Sequence, residues 1–378
     1  MKRPRIGIVG AGQLGRMLAL AGYPLGIDCH VLDRTADTPG AQVARTVLGE
    51  LDDPQALAKL AADVDVVTLE IENVAVAALE SLTGRIDVFP PPGAVAAAQD
   101  RLAEKTLFRS LGIPTAEFVA IDSADDAAAA AALGWPVVVK TRRMGYDGRG
   151  QRVVDSVAAV AAAWRELGSV PSIAEAWVKF DREVSLIAVQ GAAEERVFYP
   201  LAENVHRNGI LATTVAPYAH PALQQQAEQW LAAIMARLHY RGVLTVEFFE
   251  ANGQLVANEM APRVHNSGHW TIEGAETSQF ENHLRAVLGW PLGDPRPRGH
   301  AAMLNLLGAM PPRDAVLSVP GAHWHDYGKD PRPGRKVGHC TLVDTDRARL
   351  LERLRTLQAT ISPAKTVIPS LETPVSFG

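Results

Sequence analysis

Val137-Val138-Val139-Lys140-Thr141-Arg142-Arg143-Met144-Gly145-Tyr146-Asp147-Gly148-Arg149-Gly150-Gln151-Arg152-Val153-Val154 is the stretch that decides the fold. Three valines behind Pro136 predict a short buried strand, because β-branched side chains suit an enclosed pleated surface. Lys140 closes that strand. Gly145, Gly148 and Gly150 then open a loop, and Val153-Val154 resume an extended run. Strand, lysine, glycine-rich turn and strand describe a flap lying across polyphosphate. Glycines let backbone N–H groups approach the oxygens without a Cβ in the way, and the lysine adds a point charge. An ordinary β-hairpin with a basic loop has the same pattern, so the remaining motifs must decide between the two.

At 378 residues the chain is long enough for two or three domains, and at 47% hydrophobic and 21% charged it reads as globular. A net charge of −5 argues against nucleic acid as a partner, which would require a basic face, but leaves room for a local phosphate pocket. Cys29 and Cys340 are far apart and lack metal-ligand spacing, so neither a disulfide framework nor a zinc site is expected. The basic Met1-Lys2-Arg3-Pro4-Arg5 is followed by an apolar run broken at Gly7, Gly10 and Gly12, unlike a signal peptide. No apolar stretch reaches transmembrane length, and a cytoplasmic location without membrane contact is expected.

Arg5-Ile6-Gly7-Ile8-Val9-Gly10-Ala11-Gly12-Gln13-Leu14-Gly15-Arg16-Met17-Leu18 runs from a buried strand through G-x-G-x-x-G into a helix. This is the dinucleotide-binding fingerprint in its proper context, with Asp33 ending a second strand at His30-Val31-Leu32. It predicts either a nicotinamide site or a doubly wound domain whose helix N-terminus binds another phosphate, or none. Residues 54–62 have a helical period, residues 64–69 a strand, residues 76–82 a helix and residues 87–89 a short strand. Glu70 and Glu72 follow the strand at 64–69, two residues apart at the end where open α/β sheets bind ligands. Extended chain would place both on one face toward a substrate; a solvated strand end is the plainer alternative.

Pro90-Pro91-Pro92 marks a domain boundary. Beyond it, residues 94–111 read as one helix with Arg101 and Lys105 a turn apart. Residues 118–120 read as a strand, and residues 123–133 as an alanine-rich helix capped by Ser123. After the flap come a helix over residues 156–167 and a strand over residues 172–178, completing a small α+β lid. In the third part, residues 182–189 alternate as a strand and residues 197–201 pair back. A helix spans residues 221–238, and strands at residues 242–250 and 254–260 are joined at Asn252-Gly253. An Asn-Gly hairpin makes facing positions cross-strand neighbours, so Glu247 and Glu259 are expected to converge on one Mg²⁺, with Asn258 adding an oxygen. Arg263 is the expected neutralising cation if the carboxylates are structural instead. Arg263, His265 and Asn266 read as a substrate loop. Lys329, Arg335 and Lys336 gather cations in a glycine- and proline-rich loop suited to a phosphate monoester. The chain closes with a strand from Val337, a helix over residues 347–357 and an extended tail.

Flap, metal pair and phosphate-binding turn together resemble the ATP-grasp superfamily over essentially the whole chain. Six blocks narrow the resemblance. They are Gly12-Gln13-Leu14-Gly15-Arg16-Met17, residues 68–74, Gln99-Asp100-Arg101, and Gly145-Tyr146-Asp147-Gly148-Arg149-Gly150-Gln151. Then come Asn258-Glu259-Met260-Ala261-Pro262-Arg263 with His265-Asn266-Ser267-Gly268-His269, and Tyr327-Gly328-Lys329 before Arg335-Lys336-Val337-Gly338-His339. These look like the 5-(carboxyamino)imidazole ribonucleotide synthases of purine biosynthesis. The resemblance implies an α/β ATP-grasp architecture. Residues 1–100 would form an N-terminal doubly wound, Rossmann-like parallel sheet, residues 101–180 a small α+β lid, and residues 181–378 a C-terminal α+β domain.

It also implies a carbon–nitrogen ligase that uses ATP, Mg²⁺ and bicarbonate to carboxylate the exocyclic amine of 5-aminoimidazole ribonucleotide through carboxyphosphate. A closing lid would keep water from that intermediate. By the same resemblance Arg101, Lys140, the loop Gly145, Tyr146, Asp147, Gly148, Arg149, Gly150 and Gln151, then Glu175, Ala176, Trp177, Val178, Glu183, His206, Asn258 and Glu259 surround ATP, with metal on Glu247 and Glu259. Gly12, Gln13, Leu14, Glu72, Tyr146, Asp147, Arg149, Lys329 and Arg335 surround the ribonucleotide. Glu72, Tyr146, Asp147, Arg263, His265, Asn266 and Lys329 are the expected catalytic groups. His265 and Asn266 are expected to handle bicarbonate, and Glu72 or Asp147 to take the amine proton. Ala75 departs from the family in lacking a hydroxyl beside the Glu72 block, so a backbone or water contact is expected there. The family commonly forms dimers, so a homodimer is expected. The alternatives are another ATP-grasp ligase, such as a formate-dependent glycinamide ribonucleotide transformylase, a nicotinamide oxidoreductase, and a nucleotide-binding regulator without chemistry.

Overall fold

The computed structural model describes residues 3–145 and 148–361. Its first sheet holds four parallel strands in the order Arg45–Leu48, Asp28–Asp33, Arg5–Val9 and Val66–Leu69. Ile6, Ile8 and Val9 are wholly buried, as expected of a strand covered on both faces. Arg45–Leu48 was not anticipated: it is an edge strand with Arg45 and Leu48 exposed, so its apolar signal is weak. The strand expected at residues 87–89 is reduced to a single parallel bridge between Val67 and Val88. Pro90 follows at once and has no N–H for another rung.

The expected helix over residues 94–111 is two helices, Pro92–Gln99 and Arg101–Ser110. Asp100 is extended between them (φ −119°, ψ 111°), and its carboxylate accepts the Leu102 and Ala103 N–H groups at 3.0 and 3.3 Å. The cap restarts the helix in a new direction.

The lid is an antiparallel sheet ordered Phe118–Ile121, Ser172–Ala176, Val137–Thr141, Gln151–Val154. Val137 faces Val154 and Lys140 faces Gln151, so the two arms of the flap are neighbours. Ile121, Val137, Val139, Val160 and Ala174 give the lid a core of its own. Residues 125–133 form a 3₁₀ run, not an α-helix capped by Ser123. The Ser123 hydroxyl and N–H both donate to the Asp126 carboxylate, and no side chain caps the run, whose N-cap is Ala124. The strand expected to reach Val178 stops at Ala176, where the Trp177 N–H turns to the Pro136 carbonyl.

The third sheet has nine antiparallel strands. Eight run in the order Gln254–Ala261, Gly242–Ala251, Arg182–Gln190, Ala202–Arg207, Ile210–Ala216, His300–Leu307, Lys336–Asp344 and Ala322–Asp326. Arg196–Phe198 pairs with Arg182–Gln190 at the side. His300–Leu307 and Ala322–Asp326 were not read from the sequence, and the last helix, Arg347–Ile361, is longer than expected. The extended tail beyond it falls outside the described residues. A core cluster joins Ile6, Ile8 and Leu18 of the first sheet and its helix to Trp270, Phe280 and Leu284 on the third. No described helix is long and apolar enough to cross a membrane.

Candidate active site

The flap turn requires its glycines. Gly148 and Gly150 both have φ near +75°, and a Cβ on Gly148 would lie 3.1 Å from the Asn208 carbonyl. Gly145 packs near Arg149 and Arg101. Tyr146 and Asp147, expected at this turn, lie outside the described residues. Beneath the flap, Lys140 Nζ is 2.9 Å from Glu175 Oε2, and Lys105 Nζ reaches the same oxygen at 3.4 Å. Burial alone would raise the Glu175 carboxyl, but Lys140, Lys105 and Arg101 pull it down to about 2. Ala176 gives its N–H to the Glu117 carbonyl, and Trp177 is partly exposed where the strand ends, with Val178 next. Glu183 and His206 pair across adjacent strands at 2.7 Å.

Glu247 and Glu259 stand directly opposite one another on the Asn252-Gly253 hairpin. A bulge here skips Asn258: Glu247 pairs with Glu259, and Phe248 pairs with Ala257. Burial follows suit, with Ala257 and Met260 inside and Asn258 and Glu259 both turned out. The bulge therefore re-aims Asn258 to the side of the carboxylates. Its Oδ1 is buried and has no hydrogen-bond partner among the described residues, which suits a cation. No group of three or more described His, Cys, Asp or Glu side chains has metal-site geometry. Two carboxylates and an amide fit Mg²⁺ only with phosphate and water oxygens completing the shell.

The cation on this pair is Arg101, not Arg263. Arg101 Nη1 is 2.8 Å from Glu259 Oε2, whereas Arg263 forks onto Glu72 through Nε and Nη2, the latter at 2.9 Å. Arg263 follows the end of its strand and turns toward the first sheet, where Glu72 offers a bidentate partner. Burial would raise both carboxyls, yet Arg101 outweighs it at Glu259 and holds that group down, while Glu247 stays raised.

At the first sheet the G-x-G-x-x-G turn already holds an anion. Glu70 accepts the Gly12 N–H at 2.5 Å and the Gly15 N–H at 2.8 Å, occupying the seat a dinucleotide pyrophosphate would take. Asp33, the acidic residue that ends the second strand, accepts the Ala11 N–H at 3.0 Å. Both observations count against the nicotinamide alternative. They also correct the expectation that Glu70 and Glu72 share a face: the strand ends at Leu69, so alternation stops there. Gln99 donates to the Glu72 and Val74 carbonyls and pins the turn, while Ala75 gives its N–H to Asp52. Leu14 buries its side chain in the core, leaving only its backbone for a ligand. Lys329 Nζ donates to Gln13 Oε1, and Gln42 donates to the Gly328 carbonyl at 3.4 Å, closing the distal loop onto this turn. Arg335 Nη1 holds the Asp330 carbonyl at 3.1 Å within that loop.

His265 links the two regions. Its Nδ1 is 2.8 Å from Ser267 Oγ and its Nε2 3.8 Å from Glu247. Burial, with Arg263 and Lys336 nearby, lowers it to about 3, so the ring is neutral. Asn266 exchanges two amide hydrogen bonds with Asn305. Sequence reasoning missed Glu104, and noted Lys105 as a turn from Arg101 without giving it a role. Glu104 accepts the Met260 N–H, and Lys105 donates to the Asn258 carbonyl. Their spacing from Arg101, three and four residues on, is the one-face signature of a helix and was the available signal.

Three family models divide the chain. A ribonucleotide synthetase preATP-grasp domain matches residues 1–99, an ATP-grasp domain residues 106–280, and a phosphoribosylaminoimidazole carboxylase C-terminal domain residues 301–353. The N5-carboxyaminoimidazole ribonucleotide synthase of Pseudomonas aeruginosa is 51% identical over 94% of this chain and 99% of its own length. That of Escherichia coli is 39% identical over 94% and 95%. Among solved structures, the N5-carboxyaminoimidazole ribonucleotide synthetase of Thermus thermophilus is 51% identical, covers 94% of this chain and 98% of its own, and superposes with a TM-score of 0.90. The Aspergillus clavatus N5-carboxyaminoimidazole synthase in complex with ADP and 5-aminoimidazole ribonucleotide is 32% identical over 96% and 99%, with a TM-score of 0.89. With this agreement along nearly its whole length, the chain belongs to the N5-carboxyaminoimidazole ribonucleotide synthase family of ATP-grasp ligases.

Proposed function

We propose that this protein uses ATP and bicarbonate to carboxylate the exocyclic amine of 5-aminoimidazole ribonucleotide, with residues 1–100 holding the ribonucleotide, residues 101–180 the lid and residues 181–378 the metal side. The observation that carries the reading is the meeting of two sets of groups across one ion pair. Arg263 is held by Glu72 and lies in the fields of Glu70, at the G-x-G-x-x-G turn, and of Glu259, which faces Glu247, while Lys329 holds Gln13 of that turn. A nucleotide site and a substrate site that share a wall suit a reaction whose intermediate must pass between them.

In the first step a bicarbonate oxygen attacks the γ-phosphorus and ADP leaves, giving carboxyphosphate. The amine nitrogen then attacks the carboxyl carbon, the bond to phosphate breaks and the nitrogen loses a proton. Lys140, Arg101 and the flap N–H groups bind and orient the phosphates, with Glu183 and His206 beside the nucleotide. Glu247, Glu259 and Asn258 would hold Mg²⁺, which supplies charge neutralisation on the phosphate oxygens. His265, neutral and with Nδ1 held by Ser267, presents Nε2 toward bicarbonate together with Asn266 and Arg263. Burial would raise the Glu72 carboxyl, but Arg263 outweighs it and keeps it ionised. So weak a base suits orienting the amine more than removing its proton, which leaves Asp147 as the better acceptor. Lys329 and Arg335 would meet the 5′-phosphate. In this reading the enzyme works on soluble metabolites in the cytoplasm, as the homodimer common in the family.

The test is ADP release with ATP·Mg²⁺ and bicarbonate, with and without 5-aminoimidazole ribonucleotide. Stimulation by that ribonucleotide, and none by glycinamide ribonucleotide with formate, is the expected result. The reverse pattern would move the protein to the transformylase reaction.

A further inference from the structure

Lys105 lies beneath the nucleotide region with its side chain 1% exposed, on the face of the helix Arg101–Ser110 that also carries Arg101 and Glu104. Its ammonium has three oxygen neighbours: Thr115 Oγ1 at 3.0 Å, the Asn258 carbonyl at 3.1 Å and Glu175 Oε2 at 3.4 Å. Three acceptors occupy the three donors of an ammonium. Lys140 reaches the same Glu175 oxygen at 2.9 Å but is 12% exposed. The other oxygen of Glu175 is buried and accepts from no described group. One enclosed carboxylate is thus shared by a sealed lysine and a reachable one.

Lys140 turning from Glu175 to a phosphate would take from that carboxylate its nearest cation, where an unpaired charge is strongly disfavoured. Arg101 adds its field at Glu175, but its direct partner is Glu259 at 2.8 Å. Lys105 can neither follow the phosphate nor be reached by it, being fixed to the walls around it. We propose that Lys105 is a positioning residue for ATP: it stays on Glu175 and keeps that carboxylate paired, so that Lys140 is released to exchange Glu175 for phosphate oxygens. The proposal rests on the nucleotide reading of the site given above.

Titration of the full-length protein with ATP·Mg²⁺, followed by intrinsic tryptophan fluorescence, tests it together with steady-state kinetics. Lys105→Met keeps the length and removes the charge. ATP affinity is expected to fall by about tenfold or more, the size of a coupled buried pair, while KM for the ribonucleotide stays within about twofold. Adding Glu175→Gln removes the carboxylate that retains Lys140, so the double variant is expected to bind ATP more tightly than Lys105→Met alone. Removing both buried charges together also keeps the double variant foldable where the single one is not, so recovery or loss of ATP binding in it decides the matter alone. Lys105→Met binding ATP as wild type does, or a folded double variant that does not bind, would overturn the role of Lys105. Wild-type protein that fails to bind ATP would overturn the nucleotide reading itself.

Discussion

His206 has Nδ1 2.7 Å from the Glu183 carboxylate in a largely enclosed setting. Burial alone would lower its pKa, but the Glu183 hydrogen bond and the fields of Glu183, Glu247 and Glu259 raise it to about 9. A raised histidine stabilises the fold fully below its unfolded value near 6.5, and that contribution is lost as pH rises through 9. The shift corresponds to something on the order of 3 kcal/mol at most. His206→Gln is therefore expected to lower the midpoint of urea unfolding most at pH 6, with the gap to wild type closing between pH 6.5 and 9.5. A gap that is constant across that range would mean that packing, not charge, sets the effect. His265, 3.8 Å from Glu247, is driven the other way by burial, Arg263 and Lys336. One site thus holds a cationic imidazole toward the acidic nucleotide region and a neutral one toward the substrate loop.

The turn at Asp100 shows what an element boundary does for a site. Its carboxylate caps the helix Arg101–Ser110 and also takes Arg142 Nε at 2.9 Å and Nη2 at 2.8 Å, while the Arg101 N–H bonds the Arg142 carbonyl at 3.0 Å. The first residue of the helix and the base of the flap are fixed by the same group. Asp100→Ala is expected to cost about 1–2 kcal/mol in chemical denaturation, the size of a lost cap with charged partners. Asp100→Asn keeps a cap acceptor and is expected to cost about half as much; equal losses would assign the effect to the arginines. No residue pattern announced this break, because the helical period of residues 94–111 runs straight through it. The hairpin at Asn252-Gly253 was legible, since turn chemistry and alternation agree, and with it the facing of Glu247 and Glu259. The bulge that turns Asn258 to the same side was not, since no residue type marks it. His300–Leu307 escaped for another reason: Ala301, Ala302, Met303 and Leu304 are good helix formers, and only pairing with strands distant in sequence makes them a strand.

Across the whole molecule, the apolar contacts separate what is held together from what is free to move. The sheet carrying the G-x-G-x-x-G turn and the nine-stranded sheet share one cluster, in which Ile6, Ile8 and Leu18 meet Phe280 and Leu284. The Thr68 hydroxyl reaches His283 Nε2 at 2.7 Å inside it. The G-x-G-x-x-G turn and the Glu247–Glu259 pair are therefore carried by one body, which the proposed chemistry requires. The lid sheet has a cluster of its own, Ile121 through Ala174, whereas Phe108 and Ile113 at the start of that chain segment pack into the core of the third sheet. The lid sheet's own cluster shares no residue with the cores of the body, and polar links such as the Thr115 hydroxyl to the Ala257 carbonyl at 2.8 Å add to the contact near its base. A lid that closes over a water-sensitive intermediate is best joined this way, because polar links exchange partners more readily than packed cores. Leu284, wholly buried in the shared cluster, gives the test. Leu284→Ala is expected to remove about 2–5 kcal/mol from global stability. In native-state hydrogen exchange it should speed the amides of Arg5–Val9 and Gly242–Ala251 by a common factor, while those of Val137–Thr141 in the lid change little. Equal acceleration in all three strands would mean that lid and body open as one unit, and the lid would then have no independent closing motion to offer the reaction.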